Sequence, residues 1–110
     1  MRFVETPHFV REIDRLLSDE EYRALQNAIL ENTHIGNVIV GTGGARKMRW
    51  ARGNSGKSGG IRVVYVEIGD TIWLLLAFAK NSAATLSDAG KKELKKLIER
   101  LKNVTENKSN

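Results

Sequence analysis

The chain has 110 residues and a mass of 12.3 kDa, which is room for one domain with a single modest core. It contains no cysteine, excluding a disulfide scaffold, a cysteine-based zinc module and a cysteine nucleophile, and no apolar run approaches the roughly 18 residues of a membrane span. The net charge of +5, from 18 Lys and Arg against 13 Asp and Glu, points to an anionic partner only if the excess is gathered in one place.

The opening Met1–Pro7 reads as folded structure rather than a secretory leader, so a cytoplasmic location is expected. A short strand is predicted over Arg2–Glu5. Thr6 and Pro7 then form a helix cap followed by proline at the first helical position. Phe9, Val10, Ile13, Leu16 and Leu17 follow at the spacing of one helix face. Ser18-Asp19-Glu20-Glu21 is a capping-box pattern, with Leu17 and Tyr22 placed as a hydrophobic staple. The second helix turns Tyr22, Leu25 and Ile29 inward and ends near residues 32–36.

After Gly41-Thr42-Gly43-Gly44 the period becomes two. Arg46, Met48 and Trp50 share one face of a strand, and Lys47 and Arg49 share the other. A glycine-rich loop over 53–60 leads into the β-branched strand Ile61–Ile68. Gly69-Asp70 makes a tight turn, and Thr71–Phe78 is a nearly continuous apolar strand. Ser87 caps a last helix in which Leu94, Leu97, Ile98 and Leu101 form one face. Its Lys91, Lys92, Lys95, Lys96, Arg100 and Lys102 occupy the remainder and read as a solvated surface. The expected fold is α+β, in the order β-αα-βββ-α: a small, mainly antiparallel sheet with an N-terminal αα-hairpin and a C-terminal helix. Residues 1–103 form the single domain and residues 104–110 a flexible tail.

The charge is uneven along this order. Residues 1–40 hold 4 basic and 7 acidic side chains, a net −3, and residues 63–90 come to −2. Residues 41–62 hold six cations (Arg46, Lys47, Arg49, Arg52, Lys57 and Arg62), no acid, and 7 of the 10 glycines. The last twenty residues come to +4, most of it on the helix surface already described.

Several patterns fail on inspection. Gly56-Lys57-Ser58 resembles the end of a phosphate-binding P-loop, but the glycine needed five positions earlier is Ala51, and a strand follows where the motif needs a helix. His8 and His34 have no companions at metal-ligand spacing, and no context selects a serine nucleophile. Glu67 and Asp70 flank a turn, where charge is commonplace. Asn103-Val104-Thr105 and Asn107-Lys108-Ser109 match glycosylation acceptors by chance, given no export signal.

The basic segment survives the same scrutiny. Lys47 and Arg49 project from one face of a strand, Arg62 opens the neighbouring strand, and Lys80 follows the last one. In a meander these four can meet on one face, where a core has no use for unpaired cations. Such a cluster suits a phosphate backbone, and the glycines allow close approach. Cleaving RNA requires activating a ribose 2′-OH, stabilising charge on the phosphorane and protonating the leaving oxygen. Arginine serves the second need, and lysine among other cations serves the first or third.

Over nearly its whole length the chain resembles the RelE/HigB-type toxins of bacterial toxin–antitoxin pairs, and specifically the HigB-like branch. The resemblance is carried by Leu17–Arg23, by Gly36–Arg49 with its Gly-Thr-Gly-Gly-x-Arg-Lys-x-Arg stretch, by Gly59–Tyr65 with Gly-Gly-x-Arg-x-x-Tyr, and by Ala79-Lys80-Asn81. It implies a metal-independent, cofactor-free endonuclease that cuts translated mRNA on the ribosome, neutralised by a cognate helix-turn-helix antitoxin and meeting operator DNA only through that partner. The family's functional positions fall on Lys47, Arg49, Arg62 and Lys80, with Arg46, Arg52 and Lys57 positioning RNA or ribosome. Some relatives place the last arginine one residue later, at Asn81 here, and no C-terminal tyrosine or histidine follows Tyr65. That departure either lowers activity or leaves proton transfer to Lys47, Lys80 and groups of the ribosome, and two other readings stay open: a non-catalytic nucleic-acid or ribosome-binding module, and a regulatory homologue with weak activity.

Overall fold

A computed structural model describes residues 1–51, 60–79 and 86–107. Among the described residues eight elements follow one another: β1 (Arg2–Glu5), α1 (Pro7–Leu16), α2 (Asp19–Glu31), β2 (Asn37–Val38), β3 (Arg46–Trp50), β4 (Ile61–Ile68), β5 (Thr71–Ala79) and α3 (Asp88–Asn107). The strands make one sheet in the order β1-β5-β4-β3-β2. Only the β1–β5 pair is parallel; the other three are antiparallel. The α+β class and the αα-hairpin agree with the sequence reading.

Local chemistry sets the element ends as expected. Thr6 Oγ1 accepts from the Phe9 amide at 3.1 Å and donates to the Leu75 carbonyl at 3.0 Å, so one hydroxyl both caps α1 and ties it to β5. At Leu75 the β4–β5 register slips, with Val64 opposite Leu76 and Tyr65 opposite Leu74. Ser18 and Glu21 exchange the two hydrogen bonds of a full capping box at the start of α2. Gly69, with φ of 58°, opens the two-residue β4–β5 hairpin. Ser87 accepts from the Gly90 amide at 3.2 Å and the Lys91 amide at 2.9 Å, starting α3.

Two faces of the sheet are covered. Phe9, Ile13, Leu25 and Ile29 of the helical hairpin pack on Met48, Ile61, Val63, Tyr65, Ile72 and Leu74. On the reverse face, Leu94 and Ile98 of α3 pack on Ile39, Ala45, Val64, Val66 and Leu75. The central strand β4 is consequently buried along most of its length, with Arg62 and Glu67 interrupting that run.

One expectation is corrected. The meander has four strands rather than three, because β2 adds Asn37 opposite Lys47 and Val38 opposite Arg46. A two-residue strand carries too little periodicity to be read from sequence. The predicted strand β1 joins the sheet beside β5, completing a five-stranded sheet. The last helix, α3, runs to Asn107, and residues 102–107 contain no proline or glycine. The glycine loop over 53–59 and residues 108–110 lie outside the described residues.

Candidate functional site

Alternation along β3 divides its cations between the two sides of the sheet. Arg46, Met48 and Trp50 stand opposite Tyr65, Val63 and Ile61 on the side of the helical hairpin. Lys47 and Arg49 stand opposite Val64 and Arg62 on the side of α3. Arg49 and Arg62 are direct cross-strand partners, a placement that brings Cβ atoms to within about 4.5–5.5 Å. Lys47 sits two residues along the same face.

These three cations line an open cleft of roughly 480 Å³ together with Ile35, Asn37 and Met48. Lys47 and Arg49 are exposed, whereas Arg62 is half-buried, with Nη1 3.4 Å from its neighbour's carbonyl at Ile61. Among the described residues none of the three pairs with a carboxylate; the ion pairs formed elsewhere are Arg15–Glu12 and Lys96–Glu93, and His34 Nε2 lies 3.9 Å from Glu67. Like charges set opposite one another are a cost to the sheet. A cleft of unneutralised cations attracts a phosphodiester and can stabilise the additional negative charge of a phosphorane.

The other expected site residues fall elsewhere. Arg46 faces the helical hairpin, where Nη1 donates to the Gly36 carbonyl at 2.8 Å, so it does not join the cluster. Arg52, Lys57 and Lys80 lie outside the described residues. Tyr65 is fully buried on Arg46's side: its hydroxyl donates to the Thr33 carbonyl at 2.8 Å and accepts from the Gly36 amide at 3.0 Å. Burial pushes this phenol upward, with the Gly36 hydrogen bond opposing the shift. Both its geometry and its raised pKa make Tyr65 a brace rather than a proton carrier for the cleft.

Asn37 and Ile35 were missed by sequence reasoning. The only available signal is the alternation Ile35, Asn37, Ile39 ahead of the glycine turn, and it requires β2 to be recognised first. That turn is built around Thr42, fully buried, whose hydroxyl donates to the Ile39 carbonyl at 2.7 Å and accepts from the Ala45 amide at 3.1 Å. Gly41, Gly43 and Gly44 carry φ of 87°, 80° and 120°, so the hairpin delivering β3 needs residues without a Cβ.

Among the described residues no three His, Asp or Glu side chains gather as a metal site, and no helix is long and apolar enough to cross a membrane. The model of the family described as the RelE toxin of the RelE/RelB toxin–antitoxin system matches residues 1–110. That match spans the five-stranded sheet, its two helical layers and the strands carrying Lys47, Arg49 and Arg62, and the chain belongs to the RelE toxin family of toxin–antitoxin systems.

Proposed function

We propose that this RelE-family toxin is of the HigB-like branch and is a ribosome-dependent mRNA endonuclease of the cytoplasm, held inactive by a cognate helix-turn-helix antitoxin. The observation that carries this reading is the trio of Lys47, Arg49 and Arg62 on one sheet face, without a carboxylate partner among the described residues and with two arginines directly opposed at the fold's expense. In the proposed reaction the ribose 2′-OH gives up its proton and bonds to phosphorus. The 5′-oxygen leaves with a proton, producing a 2′,3′-cyclic phosphate and a 5′-hydroxyl end. Arg49 and Arg62 hold the phosphorane charge, Lys47 and Lys80 carry protons with the help of ribosomal groups, and no metal takes part. Arg52 and Lys57 contact RNA or ribosome, while Arg46 is assigned to holding β3 in place. Operator DNA is reached only through the antitoxin.

The test is induction of the chain without antitoxin, followed by mapping of mRNA 5′ ends. New 5′-hydroxyl ends within translated frames are expected, together with growth arrest. Lys47→Ala and Arg62→Ala should each lower cleavage by about 100-fold or more, the scale of a lost acid–base or charge-stabilising group. Wild-type cleavage by both variants would falsify the assignment. Arrest without new ends would favour the non-catalytic ribosome-binding module, which would use the same basic patch.

A further inference from the structure

The cations of the cleft recognise phosphate whatever the base attached to it. Asn37 is different: of the described side chains lining the cleft, it alone offers both a hydrogen-bond donor and an acceptor. It lies directly across from Lys47 in the β2–β3 register, so both side chains stand on the face that bears Arg49 and Arg62. The Asn37 side chain is exposed, and among the described residues that side chain makes no hydrogen bond. Ile35, two residues back on the same side, adds an apolar surface suited to the flat face of a base.

The way β2 is held supports a role for what it presents. Two residue pairs of ladder cannot fix a strand alone. A lock does so from the opposite face: Arg46 donates to the Gly36 carbonyl, the Gly36 amide donates to Tyr65, and Tyr65 donates to Thr33. Approach there is so close that a Cβ at Gly36 would stand 3.0 Å from the Tyr65 ring and 3.1 Å from the Lys47 carbonyl group. Three hydrogen bonds and a glycine without room for a methyl group thus position the residue next to Lys47.

We propose that Asn37 is the base-reading residue of the cleft, selecting through its side-chain amide the nucleobase beside the phosphate held by Lys47, Arg49 and Arg62. This rests on the endonuclease reading. An asparagine amide can pair in bidentate fashion with a base edge, and one such pair is worth about 1–3 kcal/mol, or roughly 5–150-fold in discrimination. An aspartate in its place would keep the shape, lose the donor and favour a base that presents an amino group.

The experiment is 5′-end mapping after induction of the full chain as wild type, Asn37→Ala, Asn37→Ser and Asn37→Asp, with folding of each checked by circular dichroism. Asn37→Ala and Asn37→Ser should redistribute the cuts, reducing base preference at one position next to the cut by at least about fivefold. Asn37→Asp should move the preference to a different base. Unchanged base preference in folded variants of a cutting enzyme overturns this assignment alone. So does complete loss of cutting in folded Asn37→Ala and Asn37→Ser, because Asn37 would then serve the reaction rather than base choice. If the wild type produces no new ends, the endonuclease reading falls and this assignment falls with it.

Discussion

The pairing of Arg49 with Arg62 sets function against stability within a single cross-strand pair. Opposed like charges weaken a sheet, and cross-strand pairs are worth about 0.2–1 kcal/mol. Replacing Arg49 with the neutral, β-branched threonine should therefore stabilise the fold by up to about 1 kcal/mol while reducing cleavage. Thermal unfolding alongside the end-mapping assay checks both halves; a lower melting temperature would show that Arg49 is compensated by some other contact. At this scale much of the site was legible beforehand. Alternation alone separates Lys47 and Arg49 from Arg46. The opposition of Arg49 and Arg62 was not legible, since it depends on a pairing register that single-strand patterning does not specify. The role of Arg46 was equally hidden, because its acceptor is the backbone of a strand too short to be recognised.

Among the elements, hydroxyl side chains decide where helices and hairpins begin. Thr42 is the most consequential, because its burial leaves the Ala45 amide with no water to turn to. Thr42→Val keeps the shape but orphans that buried amide, and should cost about 1–3 kcal/mol, measured by chemical denaturation. Ser18→Ala, at the exposed capping box of α2, should cost less, about 1 kcal/mol. Equal losses at the two sites would contradict the importance given to burial. The caps at Thr6, Ser18 and Ser87 were readable because capping is a local pattern of a few residues. The end of α3 was not, since residues 102–107 offer no proline or glycine to mark it.

For the molecule as a whole, both of its tyrosines carry pKa values raised above the ordinary phenol value of 10.0, chiefly by burial. At Tyr22 a hydrogen bond to the Glu5 carboxylate adds to the effect. An acid whose folded pKa lies above its unfolded one binds its proton more tightly in the folded state. The stability it contributes is therefore fully present below pH 10 and is lost as pH rises from there toward the folded value. Denaturation midpoints should fall above about pH 10, with phenolate absorbance rising in step. Tyr65→Phe should lower stability at neutral pH, by orphaning the Thr33 carbonyl and Gly36 amide, and flatten the alkaline decline; an unchanged slope would assign that decline to other groups. The two-faced sheet follows from β4 and β5 being apolar on both sides, which sequence shows directly. The place of β1 does not, because four residues carry no mark of a parallel partner.

That parallel pairing orders events during synthesis. Arg2 pairs with Thr71, and Thr6 bonds Leu75 across 69 positions, so the first strand made is among the last to be seated. Until β5 has been made, the helical hairpin has no complete sheet to rest on, and β3 with β4 lacks the neighbour that buries it. Contacts this distant slow folding, since the loop they close must be ordered before they repay it. A ribosome assembling this toxin therefore finishes more than two thirds of the chain before the cation-bearing sheet can close behind it, and the cleft comes into being late in the nascent chain's growth.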